Sequence, residues 1–122
     1  MGGWAEEVYF SMYQLAKCVR YTLGDDQPQF DHKVAPLYLD AYRFRPTRLE
    51  ALYDLVVYYV NRSEFTKAFA YGMLAYPMVV QKKPITDILF VTPRVYTTDF
   101  ARVMKIAVQH IPRFRQMVTS LM

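Results

Sequence analysis

The sequence predicts an all-α fold built from tandem antiparallel helix hairpins, with five or six helices in a single domain over residues 1–122. Apolar residues recur at intervals of three and four along most of the chain, which is the period of a helix that buries one face. Prolines, glycines and short polar turns separate these stretches. The one strand-like run, 88–91, lies between Pro84 and Pro93 without a partner strand.

The first hairpin is predicted over residues 6–46. Its first helix covers 6–23, with Gly24 as a C-terminal stop. The apolar stripe of this helix consists of Val8, Met12, Leu15, Ala16, Val19 and Leu23. The only cysteine, Cys18, is placed on the apolar side, so we expect a buried, unreactive thiol.

The second helix of this hairpin has a clear end and an open start. It ends at Tyr42 or Arg43, because the residue before Pro46 is disfavoured in a helix. Asp31 could cap its start, but Pro36 does not fit a helix interior. Either the helix begins near Pro36 or its first turn is broken there.

The second hairpin is predicted over 47–76. Thr47 and Glu50 have the spacing of a capping box, in which each side chain satisfies a free backbone amide of the first turn. The buried stripe then comprises Leu49, Leu52, Tyr53, Val56 and Val60. A turn at 61–63 leads into a helix that Pro77 is expected to end.

The last third departs from the regular alternation of helix and turn. An extended segment is predicted over 77–98, with Phe90 and Tyr96 as packing anchors. Thr97, Thr98 or Asp99 then caps a basic helix over 99–122, which is either kinked at Pro112 or divided there into two helices. Its stripe begins with Phe100, Val103, Met104, Ala107, Val108 and Ile111.

The charge is uneven along the chain. The net charge is +4, but from position 81 onward seven lysines and arginines stand against two aspartates. This asymmetry suggests an acidic partner, with a solvated basic face as the simpler interpretation. The candidate basic patch consists of Arg94, Arg102, Lys105, Arg113 and Arg115. A nucleic-acid partner is less favoured, because no nucleic-acid-binding motif accompanies these residues.

No catalytic, metal or cofactor site is predicted. His32 and His110 lie in separate elements without a carboxylate or thiol at ligand spacing, and Asp25 and Asp26 fit a turn. The single cysteine excludes an internal disulfide. No signal peptide and no apolar run of about 20 residues is apparent, so we expect no membrane span and an intracellular, soluble protein or part of a large particle.

Several residues of the second hairpin match the tetratricopeptide pattern of large, aromatic and small side chains at fixed spacing. They are Leu55, Tyr59, Ser63, Phe65, Ala68 and Ala75. The first hairpin fits when its turn is lengthened, through Ala16, Gly24, Val34, Tyr38, Ala41 and Pro46. The chain therefore resembles a tetratricopeptide repeat protein, with a generic helical bundle as the alternative.

A narrower resemblance covers about residues 4–96. The segments 45–48, 50–53, 58–59, 87–91 and 95–96 are similar to a tetratricopeptide-like region that accompanies glycosyltransferases, including modular proteins of large DNA viruses. The resemblance implies a helical accessory domain beside a sugar-transferring enzyme. The basic helix after Tyr96 has no counterpart in that pattern.

These patterns favour a non-catalytic scaffold that binds a protein partner. Helical repeats expose a groove on their first helices, where the candidate contacts are Tyr21, Tyr53, Val57 and Asn61. Packing of both tyrosines on neighbouring helices is an equally good interpretation. Two alternatives are a structural subunit of a virion or nucleoprotein particle, docking through its basic helix, and a fragment of a transferase whose catalytic domain lies elsewhere.

Overall fold

The computed structural model describes residues 2–24, 26–81, 87 and 91–111. Within these ranges all regular secondary structure is helical, which confirms the all-α prediction. The α-helices are α1 (Gly2–Leu23), α2 (Gln27–Gln29), α3 (Ala35–Phe44), α4 (Glu50–Asn61), α5 (Phe65–Gly72), α6 (Tyr76–Gln81) and α7 (Phe100–Gln109). Phe30–Val34 and Val95–Asp99 are π-helical, and Met73–Ala75 forms a 3-10 turn.

The chain divides into two compact units. The first unit consists of Met1–Ala51 with Thr86–Val91, and the second of Leu52–Ile85 with Thr92–Met122. The first unit therefore extends past the predicted boundary between the hairpins at residues 46 and 47, and includes the first two residues of α4.

In the first unit, α1 packs along α3 and the π-helical segment before it. Tyr38 of α3 is fully buried, and its ring lies 6.1 Å from that of Tyr13 and 6.3 Å from that of Phe30. Ala16 and Ala41 are also fully buried. Small side chains at these positions allow the helices to approach closely around the aromatic rings.

The buried face of α1 differs from the predicted stripe. Tyr9 is fully buried and Glu6 nearly so, whereas Leu15 is 54% exposed and Cys18 is exposed. The prediction of a buried thiol was therefore wrong. The helix also starts at Gly2, four residues earlier than expected, and ends before Gly24 as predicted. The tyrosine fits either face of a helix, so the apolar pattern alone gave the wrong rotation.

The open question at the second helix is resolved by a change of helix type. The backbone is helical from Gln27 onward, and a π-helical turn over Phe30–Val34 precedes α3. Pro36 then lies in the first turn of α3, directly after this π-helical turn, which closes with Ala35 N–H donating to Phe30 O. α3 continues to Phe44, past the predicted end at Tyr42 or Arg43, and Arg45 then leaves the helical region with φ −142° and ψ 84° before Pro46.

In the second unit, α4 and α5 are joined by a tight turn. Ser63 adopts a positive φ of 60°, and Glu64 N–H donates to Tyr59 O over 2.8 Å. The Tyr59 and Tyr71 rings stack across the two helices with centroids 5.5 Å apart. The backbone of α5 approaches α7 at Gly72, where an added Cβ would lie 3.1 Å from Met104 Cε.

The predicted extended segment was wrong at both of its ends. Pro77 does not stop the helix, because it is the second residue of α6, where proline is tolerated. Val95–Asp99 is π-helical and continues into α7. The run 88–90, including the predicted anchor Phe90, lies outside the described residues, as do 112–122 with Pro112. In α7 the expected stripe is buried from Phe100 to Val108.

Candidate functional site

Two arginine–carboxylate clusters stand out, one in each unit. The first, which we call the buried cluster, consists of Arg45, Arg48, Glu50 and Asp87. Both nitrogens on one edge of the Arg45 guanidinium donate to Asp87, Nε to Oδ2 over 2.8 Å and Nη2 to Oδ1 over 2.6 Å. Such paired hydrogen bonds are the strongest that arginine makes with a carboxylate.

Arg48 connects the remaining members of the buried cluster. Its side chain is fully buried, and it donates to Asp87 over 3.4 Å and to both oxygens of Glu50 over 3.2 and 3.3 Å. The guanidinium carbon lies 4.7 Å from the centre of the Tyr9 ring. The Tyr9 hydroxyl in turn accepts a hydrogen bond from Ala51 N–H over 2.9 Å. The Arg48 charge is therefore paired with two carboxylates and lies over the Tyr9 ring, and the same tyrosine accepts a backbone hydrogen bond from α4.

The predicted capping box does not form. The helix α4 begins at Glu50 instead of directly after Thr47. The Glu50 carboxylate is paired with Arg48, so the residue expected to cap the helix belongs to the buried cluster. Arg48 and Glu50 are both buried, and either charge would be costly to leave without a partner there.

The electrostatics of the buried cluster favour a structural role. The hydrogen bonds from Arg45 hold the pKa of Asp87 below its usual range, against the opposing effect of burial. The same hydrogen bonds raise the pKa of Arg45. Asp87 and Glu50 both face arginines, and the described residues contain no group of three His, Cys, Asp or Glu that could hold a metal ion.

The second cluster is exposed and lies in the second unit. We call it the exposed cluster: Arg94, Asp99 and Arg102, with Tyr53 beside them. Asp99 Oδ1 lies 3.6 Å from Arg94 Nη2 and 3.8 Å from Arg102 Nη1. The two arginine side chains are 71% and 63% exposed. Arg94 comes just before the π-helical segment and Arg102 is in the first turn of α7, so the helix start positions both charges.

Tyr53 links the exposed cluster to α4. Its ring packs against Phe100, with centroids 6.0 Å apart, and the side chain is half-buried. Burial is the main cause that raises the pKa of the Tyr53 hydroxyl, followed by the negative charges of Asp99 and Asp54. The positive charges of Arg102 and Arg94 act on it in the opposite sense. Packing on a neighbouring helix therefore accounts for one side of the Tyr53 ring, and its role as a groove contact stays a prediction.

The structure thus brings together predicted residues that the sequence treated separately. Tyr53 was a candidate groove contact, and Arg94 and Arg102 were candidate basic-patch residues. Val57 is half-buried and Asn61 exposed, one and two turns along α4 from Tyr53. Lys105 is half-buried on α7.

The other predicted residues are placed elsewhere. Tyr21, 91% exposed, belongs to the first unit. Arg113 and Arg115 lie outside the described residues. His110 stacks on Phe65, with centroids 3.9 Å apart, and its Nδ1 lies 2.8 Å from Ile106 O. His32 is exposed in the π-helical segment of the first unit.

Sequence reasoning missed the buried cluster and the role of Asp99. In the sequence, Arg45 and Arg48 belong to one segment of the narrower resemblance, 45–48, and Asp87 begins another, 87–91. The available signal was that two segments of this resemblance begin with residues of opposite charge, Arg45 and Asp87. Their pairing across 42 residues needed the fold.

A comparison of the chain with protein-family models, with curated proteins and with solved structures found no match. Among the described helices, none combines the length and the apolar character that a membrane crossing requires.

Proposed function

We propose that this protein is a non-catalytic helical scaffold that binds an acidic segment of a protein partner through the exposed cluster. The observation that carries the proposal is the geometry of Arg94 and Arg102 around Asp99, next to Tyr53. Arginine and tyrosine are the residue types that most often dominate binding energy at protein interfaces.

The exposed cluster fits an acidic polypeptide. Two guanidiniums with most of their surface in water can each take a carboxylate in a paired geometry. The half-buried Tyr53 ring is held by Phe100, so it offers apolar contact area that is already ordered. A single row of charges would attract a partner, whereas the combination with a fixed ring also gives it a defined position.

We propose further that the two hairpins are tetratricopeptide-like repeats and that the chain serves as an accessory region of a glycosyltransferase. Burial of Leu55, Tyr59, Ala68 and Ala75, the positions that matched the pattern, supports the repeat. Ion pairs also join residues 45–48 to Asp87, two of the segments that carry the narrower resemblance. Those segments therefore belong to one packed unit, as a shared domain would require.

The test is binding of an acidic peptide to the purified chain. A fluorescein-labelled peptide of alternating glutamate and glycine should bind measurably at 50 mM salt, and Tyr53→Ala and Arg102→Gln should each weaken it. Lys33→Gln is the matched control, because it removes an exposed positive charge from the first unit. Equal weakening by Lys33→Gln would show that net charge alone is responsible and would contradict the proposal.

The non-catalytic part of the proposal is tested separately. A nucleotide sugar added to the chain alone should give no binding heat in calorimetry. Saturable binding would instead favour a transferase fragment. Binding of a DNA or RNA oligonucleotide that weakens steeply with added salt would favour the nucleoprotein subunit.

A further inference from the structure

The contacts between the arginines and Asp99 are ion pairs without hydrogen bonds. The nitrogen–oxygen distances of 3.6 and 3.8 Å are longer than every hydrogen bond of the buried cluster, the longest of which is 3.4 Å. They also lie well beyond the usual N–H···O length of about 2.9–3.0 Å. In the part of the chain that the structure describes, neither guanidinium donates a hydrogen bond. Both side chains are largely in water, 71% and 63% exposed, so a ligand can reach their N–H groups.

Asp99 has an unusual role in this arrangement. It occupies the N-cap position of α7, but its side chain makes no capping hydrogen bond. Its Oδ1 instead accepts from the Thr98 hydroxyl over 3.2 Å and lies between the two arginines. The helix start does not depend on this carboxylate, since the backbone is already helical over Val95–Asp99.

We propose that the exposed cluster recognises a phosphate monoester on a serine, threonine or tyrosine side chain of the partner, with Asp99 holding the anion position when the site is empty. This inference rests on the function proposed above and specifies the acidic group. The phosphate oxygens accept hydrogen bonds from Arg94 and Arg102 and replace the looser ion pairs.

The charge and shape of the ligand decide between a phosphate and a carboxylate. A partner carboxylate carries one negative charge, as Asp99 does, so it exchanges one ion pair for a similar one. A phosphate monoester carries about −1.5 to −2 at pH 7 and has three acceptor oxygens, enough to bond both guanidiniums at once. The two arginines therefore discriminate in favour of the doubly charged group.

A nucleic-acid backbone fits the exposed cluster less well. Each phosphodiester carries a single charge, and binding depends on neutralising several of them along a track. The exposed cluster provides two arginines around one point, with an acidic residue between them. Two arginines that converge on one point suit a single, doubly charged group.

The experiment compares peptides that differ at one residue. Fluorescein-labelled Gly-Ala peptides carrying phosphoserine, phosphotyrosine, glutamate or serine at the centre are titrated with the full chain, and anisotropy gives each Kd. The better phosphopeptide should bind at least about tenfold tighter than the glutamate peptide, since a charge-assisted hydrogen bond contributes about as much as a tenfold change in affinity. Arg94→Gln and Arg102→Gln should each abolish that advantage.

Asp99→Asn provides the sharper variant, because its effect has the opposite sign. Removal of the competing carboxylate should tighten phosphopeptide binding several-fold while leaving the fold intact. Asp40→Asn, at an exposed position of α3, is the matched control for the charge change and should leave the affinity nearly unchanged. Unchanged affinity in Asp99→Asn would contradict the role assigned to Asp99 and overturn the inference.

The remaining outcomes separate this inference from the proposed function. Equal binding of the glutamate and phosphate peptides would overturn the phosphate preference and leave the acidic-peptide scaffold standing. Failure of every peptide to bind would overturn both. Inorganic phosphate that competes as strongly as the phosphopeptide would show a site for free phosphate, and tighter binding of an oligonucleotide would show a nucleic-acid site. Either result would contradict the proposal that the phosphate belongs to a side chain of a partner polypeptide.

Discussion

The buried cluster and the exposed cluster use the same chemistry in opposite surroundings. Each places aspartate between two arginines. In the buried cluster Arg45 and Asp87 approach to 2.6 Å, and the Asp87 side chain is almost completely buried. In the exposed cluster the corresponding distances are 3.6 and 3.8 Å, and both arginines are largely in water.

The difference shows what burial does to an ion pair. Charges removed from water must be hydrogen-bonded, so each charged group of the buried cluster has a hydrogen-bonded partner and the cluster has a structural role. Charges in water need no such bonds and contribute little to stability, so their donors remain available for a partner. The two clusters should therefore respond in opposite ways to matched substitutions.

The largest expected effect is on stability in the buried cluster. Asp87→Asn should lower the free energy of unfolding by about 3–5 kcal/mol, because it removes the charged partner of Arg45 and one of the two carboxylates paired with the buried Arg48. Asp99→Asn, the matched substitution in the exposed cluster, should change it by less than about 1 kcal/mol. Urea unfolding at pH 7 measures both values. Similar losses in the two variants would remove the distinction between the clusters.

The acid dependence of stability should come next in size. The folded-state pKa of Asp87 is lowered, so its contribution is complete above the ordinary aspartate pKa of about 4 and is lost as the pH falls through the lowered value. The stability difference between the natural protein and Asp87→Asn should therefore shrink between pH 5 and pH 2. Urea unfolding at several pH values follows it, and a constant difference would contradict the assignment.

Binding and stability should separate in the exposed cluster. Arg102→Gln should weaken binding of an acidic or phosphorylated peptide about tenfold, while the free energy of unfolding changes by less than about 0.5 kcal/mol. Anisotropy titration and urea unfolding of the same preparation supply the two numbers. A loss of stability as large as the loss of binding energy would assign Arg102 to the fold.

The smallest expected effect is on the ionisation of Tyr53. Asp99→Asn should lower the pKa of the Tyr53 hydroxyl, because one of the negative charges that raise it is removed. Arg102→Gln should move the same pKa upward, since it removes a positive charge. Carbon NMR of the tyrosine ring, assigned with Tyr53→Phe, follows the titration. Shifts of the same sign in both variants would show that Tyr53 does not sense this cluster.

Helical character was predictable from the sequence, but the orientation of individual helices only in part. In α7 the apolar residues are aliphatic or phenylalanine and define one face, so the buried side was predicted from Phe100 to Val108. In α1 Tyr9 is buried and Leu15 exposed, and the stripe of aliphatic residues pointed to a different side. Packing of tyrosine rings and arginine decided that rotation.

The ends of the helices were also predictable only where their cause is local in the sequence. Gly24 and Pro46 act through their own backbone geometry, so their effects were predictable. The capping box at Thr47 had the right spacing, yet Glu50 pairs with Arg48 within a cluster completed by Asp87. A side chain of a local capping motif can instead pair with a charged residue of a larger cluster. The spacing of the motif does not show that such a partner is present.

For the candidate site, the residue types were predictable and their proximity was not. Tyr53, Arg94 and Arg102 were each singled out, from a helix face and from a charge count. Only the packing of Tyr53 on Phe100 places the tyrosine beside the charges at the start of α7. Asp99 was considered only as a helix cap, a role that its side chain does not perform.

The Arg45–Asp87 ion pair also has a kinetic consequence. Its partners are 42 residues apart, so the chain between them must close into a long loop before the pair can form. Contacts of such separation are slow to form. We expect the Arg45–Asp87 pair to form after the rate-limiting step of folding. An interaction formed at that stage slows unfolding without accelerating folding. We therefore expect this pair to set how long the first unit stays folded and to have little influence on how quickly it folds.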